Sequence, residues 1–325
     1  MNQVTLFGPY ACLAAALAIA PLGAAYGEEK KSPMMPGGST GNAAGALPPE
    51  GLYFNNEVTI EQGKVVDGDG RTSTTPGGQN IKAFQVDETP SLLWVPGVKV
   101  LGANYAAAIT QPYAWLNTDF GGASTGGDST SGKGFFNTVL TPAILSWNAG
   151  NGIFIGSGVN VYVKDGHFTH HYNAAQGRET LANGSFANNY WTFQPNLAVS
   201  YLANGWNLTM NHVVDFNTKN DVTHYQSGNA YYLDLTATRK FGPWEFGAIG
   251  NILEQWQPDK VNGVKVAAVK GFASAGNQAE VLAMGPLVAY DFGKASLRLR
   301  YLQPIRSENQ GNIAFIRLDL SVPLY

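Results

Sequence analysis

The stretch LYFNNEVTIE, residues 52–61, alternates almost strictly between apolar and polar side chains. Successive side chains of an extended chain point to opposite sides, so the apolar residues share one face of a strand and the polar residues share the other. The same period of two recurs at 153–163, 196–201, 207–211, 296–301 and 316–322, and no comparable helical segment follows residue 50. We therefore predict an all-β fold from residue 51 onward.

Strand length and loop length indicate which kind of β fold this is. Most of the predicted strands have about 11–16 residues, whereas strands of globular sheets usually have about 5–6 and tilted strands need about 9–11 to cross a bilayer. The predicted strands are 51–61, 81–95, 98–113, 134–148, 151–165, 188–202, 205–217, 227–240, 243–256, 278–291, 294–305 and 311–324.

The links between these strands alternate between five tight turns and links that are mostly long and polar, such as 62–80, 114–133, 166–187 and 257–277. Short turns at one end and long loops at the other are typical of bacterial outer-membrane barrels. We predict a transmembrane antiparallel up-and-down β-barrel of about 12 strands over residues 51–325, with short periplasmic turns and long extracellular loops. One missed or divided hairpin would change the number to ten or fourteen.

The composition agrees with a barrel whose strands have one face in lipid. Charged residues make up only 13% of the chain, against about 25% in a typical soluble domain. A charge on the lipid-facing side costs about 2–4 kcal/mol at the bilayer midplane. The net charge of -3 provides no basic surface for nucleic acid. Aromatic side chains flank the tight turns, as in a membrane-interface girdle: Trp94, Trp147, Tyr201, Trp206, Trp244 and Tyr290.

The first fifty residues are predicted to lie outside the barrel wall. Residues 13–22 form an apolar run followed by small residues, which indicates a signal peptide over residues 1–25, although no basic residue precedes the run. The single cysteine, Cys12, lies inside this segment. Residues 26–50 are rich in Pro, Gly, Ser and Ala and have no period. Two interpretations stay open for them: a flexible linker, or a short plug folded into a pore.

The second half of the sequence contains an ordered set of aromatic, amide, glycine and proline positions. They are Asn189, Tyr190, Trp191, Pro195, Tyr201, Leu202, Asn204, Gly205, Trp206, Asn217, Thr223, Tyr225, Ser227, Gly228, Asp234, Gly247, Gly250, Gln255, Asp259, Gly285, Pro286, Tyr290, Asn309, Gln310 and Gly311. In order and spacing this set resembles a known family, the outer-membrane proteins named for the meta-pathway of phenol degradation. The resemblance implies a transport barrel distantly similar to those that import fatty acids and aromatic hydrocarbons. The sequence departs from the family pattern at Asn137 and at residues 163–166.

If the apolar faces contact lipid, the opposite faces line the lumen, where amides, hydroxyls and tyrosines dominate. Charges are concentrated where strands eleven and twelve meet strand one. This cluster is either an ion-paired network that holds the closing seam or a constriction that selects anionic solutes, such as aromatic carboxylates. The candidate lining or constriction residues are Glu57, Asn196, Asn211, Asp234, Arg298, Arg300 and Arg317.

Three other motifs contain residue types that bind metals or catalyse hydrolysis. The histidines at 167, 170 and 171 lack a positioned carboxylate, and Asp67-Gly68-Asp69-Gly70 lacks the later ligands of a calcium loop, so we predict neither metal site nor cofactor. A hydrolase would need a serine beside a histidine, and His212 has no obvious serine neighbour, so we predict no enzyme and no catalytic residue.

We predict instead a bacterial outer-membrane channel for passive uptake of small, aromatic or hydrophobic compounds. A structural or adhesive barrel without transport is the alternative. The expected partners are outer-membrane lipid, the solutes and the barrel-assembly machinery, with no nucleic acid.

Overall fold

The computed structural model describes residue 29 and residues 33–72, 82–119, 129–174, 176–182, 185–266 and 278–324. The predicted signal peptide, residues 1–25, lies outside these residues. Within them, no helix has the length and apolar character needed to cross a membrane. Twelve long strands form the main sheet: β1 (Gly51–Val65), β2 (Lys82–Val95), β3 (Ala103–Thr110), β4 (Val139–Gly150), β5 (Ile153–Tyr162), β6 (Thr192–Tyr201), β7 (Trp206–Asn217), β8 (Ala230–Phe241), β9 (Trp244–Gln255), β10 (Glu280–Asp291), β11 (Ser296–Glu308) and β12 (Gly311–Pro323).

The sheet closes on itself. Each strand pairs antiparallel with its neighbour in the chain, and β12 pairs with β1 from Tyr53↔Pro323 to Val65↔Gly311. The closed antiparallel barrel of twelve strands is therefore confirmed. Two of the tight turns, Asn151-Gly152 and Asn204-Gly205, have positive φ at both residues, the type I′ geometry that matches the twist of paired strands.

The third and fourth strands differ from the prediction. The predicted strand 98–113 is interrupted at Gln111 and Pro112, where proline supplies no N–H to the ladder. Beyond the interruption, Tyr113–Asp119 pairs with the N-terminal half of β2, from Lys82 to Glu88. It also pairs with Ser129–Phe135, which precedes β4 in the chain. The barrel wall on this side thus continues through two separate pieces of strand, and part of the predicted loop 114–133 is sheet.

Other parts of the predicted loops also contain short strands. His170–Asn173 pairs with Arg178–Leu181, and Tyr225–Gln226, Lys260–Val261 and Val264–Lys265 form a three-stranded sheet. The prediction of plain loops was wrong there, because segments of two to four residues are too short for an alternating pattern to be recognised.

The two faces of the barrel wall have opposite chemistry. On β7, Leu208 and Met210 are exposed outward, while Thr209 and Asn211 are buried inward. Trp94, Trp206 and Trp244 are exposed at the turn end of the wall. Large apolar side chains exposed on successive strands suit contact with hydrocarbon, and aromatic rings at one end suit the membrane interface. The further outward-facing members of this belt include Ile155, Phe193, Leu197, Phe216, Leu235, Phe246, Leu282, Met284, Leu299, Ile316 and Leu318.

We expect a charge on this outward face to destabilise the barrel only in a bilayer. Leu197, about midway along β6, is 52% exposed, and Leu101 in a turn is 83% exposed. Leu197→Lys should lower the free energy of unfolding by about 2–4 kcal/mol, measured by urea unfolding in lipid vesicles. Leu101→Lys is the control and should change little. Equal effects of the two substitutions would contradict a lipid-facing assignment for Leu197.

Candidate functional site: the barrel lumen

All seven lining residues predicted from the sequence lie on the inward face of the wall. Arg300 and Arg317 are each only 1% exposed, and Asn211 and Asp234 are also buried. Asn196, Glu57 and Arg298 are partly buried. The residues form two groups: a charged cluster at the seam between β11, β12 and β1, and a ladder of amides and one carboxylate on β6, β7 and β8. Whether either group acts as a constriction stays a prediction.

The charged cluster is built around Arg300. Its Nε and Nη2 atoms donate to the two carboxylate oxygens of Asp319 at 2.9 and 2.7 Å, and Nη2 also donates to Glu57. The flat guanidinium fork matches a carboxylate with two parallel hydrogen bonds, which is the strong form of this pair. The third nitrogen, Nη1, points away from the wall and donates to the backbone oxygen of Thr40 at 2.7 Å.

Arg317 lies directly opposite Arg300 on the neighbouring strand. Its Nε atom is 3.4 Å from Glu57, and its guanidinium carbon lies 4.7 Å from the centre of the Phe315 ring. Like charges facing each other across a ladder are destabilising, so Glu57 compensates both cations at once. The remaining two nitrogens donate to the backbone oxygens of Gly37 and Pro36 at 2.9 and 2.8 Å.

The second group continues across the barrel. The side chain of Asn196 donates to Asn211 at 2.9 Å, and Asn211 donates to the hydroxyl of Ser39 at 2.9 Å. Asp234 accepts hydrogen bonds from the amide and the hydroxyl of Ser39, both at 2.7 Å, and from Asn251 at 2.6 Å. Both groups therefore bind the same stretch of chain, which comes from the N-terminal side of β1.

This stretch, residues 33–50, lies inside the barrel, and we call it the lumenal segment. Its backbone forms successive turns, such as Gly38 to Met35 at 3.0 Å and Ala46 to Ala43 at 2.8 Å. Near the turn end of the wall, the amide of Gly45 donates to Ser200 at 2.9 Å and its carbonyl accepts from Ser146 at 2.8 Å. The segment thus contacts β4, β6, β7, β8, β11 and β12.

At the loop end, Glu29 is held by the link between β7 and β8. Its amide donates to Ser227 at 3.1 Å, and its carboxylate accepts from Asn220 at 2.8 Å and from the hydroxyl of Thr223. Contacts at Glu29 and at Gly45 lie at opposite ends of the strands. Glu29 and the lumenal segment therefore contact the wall near both ends of the lumen.

The link that holds Glu29 is itself tied down by a buried carboxylate. Asp259 accepts from the hydroxyl of Tyr225, from the amide of Gly228 at 2.7 Å and from Gln255 at 2.7 Å. Burial, with the charge of Asp259 beside it, raises the pKa of Tyr225 well above its ordinary value. Tyr225 therefore keeps its proton at neutral pH and remains a donor to Asp259.

Close approach explains glycine at two positions of the segment. A Cβ on Gly45 would lie 2.6 Å from the carbonyl oxygen of Phe154 and 2.9 Å from the amide nitrogen of Ser200. Gly37 has φ +72°, and a Cβ there would lie 2.6 Å from Leu302 and 3.2 Å from Arg317. The segment is packed against the wall at both points without room for a side chain.

Sequence reasoning missed three features of the lumen. Asp319 lies on the same face as Arg317, so the alternation along β12 could have identified it. The pairing of the arginines with segment carbonyls leaves no signal in the sequence. The third feature is an apolar patch on the inward face, whereas only amides, hydroxyls and tyrosines were expected to dominate. Its members, buried together with Met34, include Tyr232, Ile249, Leu253, Val281, Leu287, Leu302, Ile313 and Phe315.

The motifs outside the lumen have local partners. Oδ1 of Asp67 accepts from the amides of Asp69 and Arg71 at 2.9 Å, which makes a turn. His170 pairs with Glu179 at 2.9 Å across a short hairpin. His212 pairs with the hydroxyl of Tyr231 at 2.7 Å. In the part of the chain that the structure describes, no group of three or more His, Cys, Asp or Glu residues is placed to hold a metal ion.

We expect Arg300→Met to destabilise the barrel by about 3–5 kcal/mol, because it leaves Asp319 in the wall without its bidentate cation and Glu57 with Arg317 alone. Arg306→Met is the control, since Arg306 is exposed in its pairs with Glu280 and Glu308, and it should change stability little. The measurement is urea unfolding in detergent micelles. A loss of stability at Arg300 no larger than at Arg306 would contradict the assignment of Arg300 as the centre of the seam.

Solved structures share this architecture. The COG4313 outer membrane channel from Pseudomonas putida F1 is 15% identical, with a TM-score of 0.62, over 85% of this chain and 96% of that one. Weaker likenesses are the β domain of the Bordetella autotransporter BrkA (11% identity, TM-score 0.47, 85% and 100% coverage) and the Pseudomonas putida toluene transporter TodX (10%, 0.42, 93% and 97%). Only the first carries an argument, and it concerns the fold alone.

The sequence matches no curated protein. Residues 63–318 match the model of the family described as "Putative MetA-pathway of phenol degradation". That match covers most of the barrel and confirms the resemblance read from the second half of the sequence. The chain belongs to this family of barrel proteins.

Proposed function

We propose that this protein is a channel of the bacterial outer membrane, and that small aromatic or hydrophobic compounds cross it passively. The observation that carries the proposal is that the lumenal segment bridges inward side chains on opposite walls. Ser39 binds Asp234 on β8, the oxygen of Thr40 binds Arg300 on β11, and Gly45 binds Ser200 on β6. The interior of this barrel is therefore filled by a stretch of chain without regular secondary structure as well as by side chains of the wall.

The size of the barrel supports this proposal. Eight strands leave an interior that side chains fill, and sixteen or more leave an aqueous channel. Twelve strands lie between these cases, so the space occupied by the segment is the space through which a solute would pass. The contacts between the segment and the inward face of the wall are hydrogen bonds, ion–dipole contacts and the apolar packing of Met34 and Met35. We propose that the segment moves aside by breaking these non-covalent contacts.

The lumen wall has two kinds of surface along this path. Amides and carboxylates line β6, β7 and β8, and apolar side chains line the inward faces of β9 to β12 beside the arginines. A compound with an apolar body and a polar group finds partners on both sides. The family to which the chain belongs is described by phenol degradation. That description, together with the two kinds of lumen surface, supports aromatic solutes as the class.

A structural or adhesive barrel is the competing proposal, and the filled lumen is the observation that favours it. Transport and structure make different demands on the segment: a channel needs a segment that moves aside, and a structural barrel needs one that stays. We propose no enzymatic role, because the His212 pair with Tyr231 supplies no activated nucleophile.

Weakening the contact of the segment with the wall should open the channel. Gly45→Val would force a side chain against the backbone of Phe154 and Ser200. We expect this variant to raise the rate of liposome swelling in phenol and benzoate at least several-fold over the unaltered protein. Deletion of residues 33–46 should have the same effect by removing the segment entirely.

Gly250→Val is the matched control. Gly250 lies on the outward face of β9, where a Cβ meets nothing closer than 3.6 Å, so the swelling rate should not change. Retained heat-modifiable mobility on gels will show that each variant has folded. If both altered segments leave swelling at the level of empty liposomes, the transport proposal is wrong and the structural alternative is favoured.

A further inference from the structure

Two methionines of the lumenal segment cover the apolar patch on the lumen wall, and one of them, Met34, is itself buried in the patch. Met34 is buried in one cluster with Tyr232, Leu253, Leu302 and Phe315, and Met35 packs against this cluster from outside. Methionine is flexible and fills irregular apolar space. A patch of this kind on the inward face of a barrel would otherwise face the water of the lumen, which is unfavourable for apolar surface.

The patch and the buried arginines form one continuous surface. Leu302 follows Arg300 by two residues on β11, and Phe315 precedes Arg317 by two residues on β12. Side chains two residues apart on a strand share one face and lie about 7 Å from each other. The guanidinium of Arg317 lies over the ring of Phe315. An apolar patch and a pair of cationic donors thus lie about 7 Å apart on one face, a distance comparable with the length of a small aromatic acid.

The lumenal segment occupies both halves of this surface at once. Met34 fills the apolar half, and the carbonyl oxygens of Pro36, Gly37 and Thr40 accept hydrogen bonds from the arginines. The side chain of Met34 therefore takes the place that the ring of an aromatic acid would occupy. The carbonyl oxygens on the guanidinium groups take the place of its carboxylate.

We propose that this surface is a binding subsite for small aromatic carboxylates, and that the segment from Met34 to Thr40 occupies it as a competing internal ligand. The inference rests on the proposed channel function, which it extends by naming the solute class and the residues that select it. The carboxylate of the solute replaces the segment carbonyls at Arg300 and Arg317, and its ring replaces the side chain of Met34. The solute therefore binds only when the segment leaves the subsite.

The lumen-facing edges of the arginines become accessible to an anion only when the segment gives way. Glu57 and Asp319 bind the wall-side edges of the Arg300 guanidinium, and Glu57 also pairs with Arg317. The edges that face the lumen hold only neutral oxygens of the segment, such as the carbonyl oxygens of Gly37 and Thr40. A charged acceptor makes a stronger hydrogen bond to these edges than a carbonyl does. The lumen-facing edges are therefore the part of the cluster that a carboxylate can take over.

The test measures benzoate binding to the purified mature chain in detergent micelles by isothermal titration calorimetry. Met34→Ala weakens the internal ligand, so more of the protein is free to bind, and the apparent affinity rises with that fraction. We expect benzoate to bind this variant at least about tenfold more tightly than the unaltered protein. Met284→Ala is the matched control on the lipid-facing side and should leave the affinity unchanged. Acetate, which lacks the ring, and benzyl alcohol, which lacks the charge, should each bind more weakly than benzoate.

A reversible tether tests displacement itself. In a Cys12→Ser background, which removes the only native cysteine, Ser39→Cys with Asn211→Cys creates a unique pair where the two side chains now touch at 2.9 Å. The oxidised pair holds the segment in place and should abolish benzoate binding, and dithiothreitol should restore it. Each single substitution should bind benzoate in both redox conditions.

Failure of this inference can be told apart from failure of the channel proposal. Swelling in benzoate together with an affinity that Met34→Ala leaves unchanged would overturn the subsite and leave the channel standing. Equal binding to the tethered and reduced proteins would overturn displacement. Binding that follows the expected pattern, with no swelling in any variant, would support the subsite and refute transport.

Discussion

Two arginines held side by side inside the wall impose the constraint on which the rest of this structure depends. Arg300 and Arg317 face each other across one ladder and are almost completely buried. Removing a charge from water is expensive unless it is paired and every donor is satisfied. Glu57 and Asp319 pair with the arginines on the side of the wall, and the backbone oxygens of residues 36, 37 and 40 accept their hydrogen bonds on the side of the lumen. Nε of Arg317 has the ion pair with Glu57 but no hydrogen bond. The same two arginines consequently hold the closing seam together and bind the lumenal segment.

The backbone of the lumenal segment also needs hydrogen-bond partners. The segment has no regular secondary structure, yet its backbone lies away from bulk water, where each N–H and C=O needs a partner. Short internal turns satisfy some of these groups, and small hydroxyl and amide side chains of the wall satisfy others: Ser146, Ser200, Asn207 and Thr236. This explains why the lumen wall is rich in Ser, Thr and Asn on the strands that the segment contacts.

The sequence predicted what depends on short-range periodicity. The alternation of apolar and polar residues placed all seven candidate residues on the inward face, where the structure has them. The tight turns predicted the strand ends to within a few residues. The sequence did not predict the division of the third strand at Pro112, because pairing with β2 resumes beyond the proline and only the partner strand shows this. It also did not identify the inward apolar patch. Residues such as Leu253 and Ile313 have the side-chain type of lipid-facing positions but the strand phase of the lumen, and the structure shows them buried in one cluster with Met34.

The position of the lumenal segment could not be predicted from its sequence. Its composition of Pro, Gly, Ser and Ala predicts absence of regular structure, and the structure agrees, but composition does not distinguish a free linker from a chain bound in a lumen. What decides between them is the wall, which offers donors to carbonyl oxygens, acceptors to amides and an apolar patch to one methionine. Each neutral hydrogen bond contributes only about 0.5–1.5 kcal/mol net, so the segment is held by many weak contacts spread along its length. Such an arrangement is stable as a whole and can still be released step by step. A single covalent or metal-mediated anchor would not combine these two properties.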